Sequence, residues 1–95
     1  MTNEQKQNVM ERIVRMIRYF NEMWTRYCLH PRKEKVCRDI ANVYDGQIQG
    51  LVIALLMLGV NADKIKYYVD ERVEDKKSVG YIHFKSVLQT YSTKF

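Results

Sequence analysis

The sequence predicts an all-α protein, a small helical bundle built on a long antiparallel helical hairpin with one or two shorter C-terminal helices. Three observations predict it. Met10, Ile13, Ile17, Phe20, Trp24 and Tyr27 recur at spacings of three and four, the period of one helix face. Leu29-His30-Pro31 interrupts that pattern, because proline disfavours a helical residue before it and suits the first turn of a helix after it. A second long apolar segment follows and stops at Gly59.

The first helix is expected from near Asn3 to near Cys28, with Thr2 and Gln5 as a capping box. On its outer side Glu11 with Arg15, Arg18 with Glu22, and Glu22 with Arg26 stand four apart, where opposite charges meet on a solvated face. The second helix is expected from about Pro31 to Leu58, with Cys37, Ile40, Tyr44, Leu51 and Leu58 turned towards the first. Asp45-Gly46 is the point at which it would split or kink. Asn61 and Asp63 mark a third start, and Ile65, Tyr68, Val69 and Val73 carry that helix to near Asp75. Lys76-Lys77-Ser78-Val79-Gly80 reads as loop. Beyond it Tyr81, Phe84, Leu88 and Tyr91 fit a helix, while Tyr81 to Lys85 would also fit a strand; helix is favoured, since a lone strand has no partner in this chain. Phe20, Trp24, Tyr27, Tyr44 and Tyr68 are the expected aromatic core, and the adjacent Tyr67 and Tyr68 cannot share one face, so one belongs to the surface.

At 95 residues the chain is read as one helical domain spanning 1–95, too small for a multi-domain enzyme. A hydrophobic fraction of 46% with a mean hydropathy of -0.42 describes a soluble, folded protein. The longest uninterrupted apolar stretch, 51–60, falls short of the ~20 residues that cross a bilayer, so no membrane partner is expected. Charged residues throughout the first twenty positions leave no apolar centre for a signal peptide. A cytoplasmic location follows as the expectation, with Cys28 and Cys37 as reduced, buried thiols. The net charge of +5 leans towards nucleic acids, nucleotides or acidic protein surfaces as partners.

Two groups of residues stand out as binding candidates. Gly46, Gly50 and Ala54 lie four apart on the second helix, where missing side chains let another helix approach, and each helical glycine costs about 1 kcal/mol relative to alanine. With Leu51, Leu55 and Leu58 they form the expected interface of a homo-oligomer. Arg26, His30, Arg32, Lys33, Lys35 and Arg38 gather at the hairpin turn, where a helix N-terminus adds free N–H groups for an anion or an acidic partner. The plainer reading is of solvated cations partly paired with Glu22, Glu34 and Asp39. Arg12, Arg15 and Arg18 with Tyr19 and Tyr27 make a second basic group, diluted by Glu11 and Glu22.

No catalytic signature emerges. Cys28, His30, Cys37 and His83 lack the paired spacing of a zinc site, Asp70, Glu71, Glu74 and Asp75 read as a solvated face, and the glycines lack the lysine of a phosphate loop. No catalytic residue, metal or cofactor is therefore expected. The expected function is that of a non-enzymatic accessory protein, a regulator or inhibitor docking on a nucleic-acid-handling protein or its anionic ligand, and size with the lack of catalytic motifs suits the accessory genes of phages and mobile elements. Direct nucleic-acid or nucleotide binding through the basic turn, and a structural assembly subunit, are the alternatives.

Overall fold

Thr2 opens the first helix as its sequence requires: its side chain accepts the Gln5 N–H at 3.1 Å while the Gln5 side-chain oxygen accepts the Thr2 N–H at 2.9 Å, closing the capping box. That helix, α1, spans Asn3–Leu29; α2 (Lys35–Met57), α3 (Ala62–Arg72) and α4 (Val79–Ser92) follow in a computed structural model describing residues 1–95. The protein is an all-α bundle built on the α1/α2 pair, and residues 79–92 are helix rather than strand.

The turn is longer than the sequence suggests. Pro31 does not start α2; Pro31, Arg32 and Lys33 form a turn closed by the Glu34 N–H on the His30 carbonyl at 2.8 Å, and α2 begins at Lys35. Reversing the chain between two packed helices uses those residues. Asp45-Gly46 neither splits nor kinks α2, which is continuous through both. Its end is a Schellman motif: Gly59, at φ +84°, donates to the Leu56 carbonyl, and Val60 donates to Leu55. Gly59 supplies the left-handed residue, and the buried Val60 that follows fixes the exit direction.

Asn61 caps α3 by accepting the Asp63 N–H at 2.7 Å. The helix stops at Arg72 rather than near Asp75, because Val73 turns extended to enter the core and the Lys76 ammonium takes up the Asp70 and Val73 carbonyls. Arg18 adds a bond across from α1 to the Arg72 carbonyl at 3.0 Å. Ser78 caps α4 by accepting the Tyr81 N–H.

All four helices meet in one aliphatic core that includes Met10, Ile13 and Ile17 of α1, Ile48, Val52 and Leu55 of α2, Ile65 and Val69 of α3, and Phe84 and Leu88 of α4. The α2 residues facing inward are Cys37, Ala41, Ile48, Val52, Leu55 and Leu56. Ile40 and Leu58, expected on the inner side, are exposed, and Tyr44 and Leu51 are half-buried. α4 locks onto α1 through Gly80, whose N–H donates to the Asn21 side-chain oxygen at 2.7 Å; a Cβ there would stand 2.8 Å from the Ile17 carbonyl oxygen. Towards the turn the hairpin runs on as a two-helix arm, closed by Phe20 stacked on Trp24, Trp24 against Tyr27 and Tyr19 against Tyr44. The molecule is accordingly elongated, 43 × 23 × 22 Å. Phe20 is the one fully enclosed ring of the expected aromatic core; Trp24, Tyr27, Tyr44 and Tyr68 are half-buried, and Tyr67 is the surface member of its pair.

Candidate functional site

The six residues nominated at the turn come together at the free end of the arm, but they do not act alike. Arg26 is held by Glu22 at 3.0 Å, the only one of the three expected pairs on α1 that closes. Arg38 lies over the Tyr27 ring at 5.7 Å and 3.9 Å from Asp39. Arg32, Lys33 and Lys35 make no ion pair and are exposed. His30 is exposed beside them and, with Leu29, Pro31, Arg32 and Lys33, lines a shallow depression of about 350 Å³ at the tip. Glu34 partly offsets this charge, since it occupies the N-cap of α2 without a side-chain bond to the helix N–H groups.

Instead, the Glu34 carboxylate accepts from the Cys37 thiol at 3.4 Å. Burial pushes the Cys37 thiol up from its ordinary pKa and the Glu34 hydrogen bond raises it further, against a lowering influence from Arg26. A thiol held protonated in this way is a packing group, not an activated nucleophile. Cys28, expected buried, is exposed. His83, far along the chain, is held at 3.3 Å by Asp45 and rests against Phe20, and no cluster of three metal-ligating side chains forms anywhere. The acidic run is divided: Asp70 accepts the Tyr81 hydroxyl and Glu71 stands beside Arg72 at 3.6 Å on α3, while Glu74 and Asp75 fall in the loop after it. Burial, with Asp70 as hydrogen-bond partner and neighbouring charge, pushes the Tyr81 hydroxyl up to about 12.

The glycine stripe faces water. Gly46, Gly50 and Ala54 are exposed, and a Cβ built on either glycine meets nothing within 4 Å. Of the leucines grouped with them, Leu55 is fully buried on the inner side and cannot line a surface; Leu51 packs half-buried against the core, and Leu58 is exposed. What sequence reasoning missed lies on the same outer side. Val36, Ile40, Val43, Gln47, Gly50, Ala54 and Met57 follow one another at alternating steps of four and three, and every one is exposed. Val36, Val43 and Met57 leave 60, 59 and 68% of their surface to solvent. The signal was legible as a second four-three row on α2, offset by one residue from the row that packs inward.

A third feature is a groove of about 340 Å³ between the start of α1 and α3, where Lys6, Lys64, Tyr67, Tyr68 and Arg72 stand together with Glu71. Its Arg72 is already engaged, 3.6 Å over the Tyr68 ring and donating to the Tyr68 carbonyl. α2 also has the length and apolar composition to cross a bilayer, although the Leu51–Val60 stretch alone is too short. In this fold its Ile48, Val52 and Leu55 side is spent on the core. No family model matches the chain, and no curated protein or solved structure matches it.

Proposed function

We propose that this is a non-enzymatic binding protein that engages an anionic partner with the tip of its helical arm. One observation carries the reading: Arg32, Lys33 and Lys35 stand unpaired and exposed at the end of an arm that no other helix caps. Three unpaired cations within four residues, at the start of a helix, suit phosphates or a carboxylate-rich protein surface. In this reading the chain is an accessory protein that occupies the surface of a nucleic-acid-handling protein or its anionic ligand. Direct binding of nucleic acid is the second reading, because the same cations serve it.

Retention on immobilised nucleic acid, measured as a function of salt, tests the tip. The combined variant Arg32→Ala, Lys33→Ala and Lys35→Ala is expected to reduce the log–log salt slope by about 2 to 3 if the residues contact phosphates. Retention on nucleic acid and capture of a protein partner both unchanged by the triple variant remove the tip from the function. Against a host protein partner, capture that survives salt stripping the nucleic acid, but is lost in the same variant, separates docking on protein from direct binding.

A further inference from the structure

We propose that the outer face of α2 is the contact between two copies of this chain, packed antiparallel about a two-fold axis at Gln47. The face is a strip about 30 Å long at 1.5 Å per residue, apolar or small except for Gln47. Val36, Ile40, Val43, Met57 and Leu58 together leave on the order of 500 Å² in solvent, as much as the largest patch on an ordinary monomer. The strip continues onto α1, where Leu58 meets Met1, Val9 and Arg12 in an open depression of about 580 Å³, and Tyr19 lies exposed beside Tyr44. The sum approaches the roughly 800 Å² per partner that a stable protein interface buries.

Size complementarity chooses a second copy, and chooses its direction. Apart from Met57 at its far end, the strip carries its bulky residues, Val36, Ile40 and Val43, before Gln47 and its small ones, Gly50 and Ala54, after it. Antiparallel pairing sets Val43 of one copy against Gly50 of the other, Ile40 against Ala54, and Val36 against Met57. Val43 and Ile40 then each meet a gap, Val36 lies along the flexible Met57, and Gln47 meets its own counterpart on the axis, where the two amides bond each other. Parallel pairing would stack Ile40 on Ile40 and leave Gly50 facing Gly50, wedging one end apart and leaving a void at the other. Charge agrees. No charged residue occurs between Gly46 and Ala62, so the antiparallel arrangement lays Lys35 and Arg38 of each copy beside an uncharged stretch, whereas the parallel one brings them together. This contact also accounts for the exposed helical Gly50, which nothing in its own chain requires.

Sedimentation of the full chain over a range of concentrations is expected to show a species of twice the 11.4 kDa chain mass. Val43→Glu, at a position open in the monomer, is expected to return it to single-chain mass with helical content unchanged by circular dichroism. Direction is read by cross-linking in a Cys28→Ser background: Gln47→Cys chains should couple to themselves, Val43→Cys chains should couple to Gly50→Cys chains, and Val43→Cys chains alone should not. A single-chain mass at every concentration overturns the proposal. Self-coupling of Val43→Cys chains overturns the antiparallel arrangement. A chain that stays monomeric but binds anionic lipid vesicles, and loses that binding in Val43→Glu, assigns the face to a membrane surface instead.

Discussion

The two ends of the α1/α2 hairpin are built on different principles. At the end holding the start of α1 and the close of α2, α3 and α4 complete an aliphatic core in which Ile13, Ile17, Ile48, Val52, Leu55 and Phe84 lose all contact with water. Towards the turn there are only two helices, and closure falls to flat rings: Phe20 on Trp24, Tyr19 on Tyr44, with Trp24, Tyr27 and Tyr44 half-exposed. The two helices enclose only small side chains such as Cys37 and Ala41, and Phe20 is closed over with His83 of α4, so beyond it the arm uses aromatic residues that tolerate one wet edge. The clamped end carries the stability. The arm carries three unpaired cations side by side at its tip.

Truncations at the two ends should therefore differ most. Phe84→Ala is expected to cost about 3–5 kcal/mol by urea denaturation, as cavities under large buried rings do, and Trp24→Ala about 1–2 kcal/mol because its ring is already half in water. Equal losses would break the contrast and place the arm inside the cooperative core. Glycines sharpen it further. Gly80→Ala should lose about 1–3 kcal/mol, since the new methyl must push aside Asn21 and the Ile17 carbonyl, whereas Gly46→Ala should gain up to about 1 kcal/mol from helix propensity. The smallest effect is the pH slope that Tyr81 contributes at the clamped end. The Tyr81 hydroxyl is pushed up to about 12 in the fold, so the folded state holds its proton more tightly than the unfolded chain does. Its contribution is complete below pH 10 and falls as pH rises towards 12, by about 1 kcal/mol at pH 11. Denaturation of Tyr81→Phe should lack this component of the alkaline decline when compared directly with the parent.

Much of the fold was legible because it rests on local chemistry. The capping box at Thr2, the cap at Asn61, the stop at Gly59 and the inward row of α1 each depend on residues a few positions apart. The inward side of α2 was not legible. Its sequence from Ile48 to Leu58 is apolar nearly all round, so periodicity selects no face; Ile40 and Leu58 fit the row as well as Ala41 and Leu55, and only packing against α1 and α4 decides between them. Gly80 was hidden for a related reason. It stood in a stretch that reads as loop, and its necessity comes from Asn21, 59 residues away. The basic tip was found as a group, but which of its cations are free depends on where Glu22, Tyr27 and Asp39 fall in space.

The bond between Gly80 and Asn21 has a bearing on the order in which the chain comes together. The hairpin joins neighbouring segments across a short turn, so closing it sacrifices little chain freedom, while α4 must return across 59 residues to reach its seat. As the chain folds, α1 and α2 can pair before α4 docks, with Ile17 and Ile48 still awaiting their cover. That pairing leaves a half-roofed trough, and the last helix to dock is the one that shuts it.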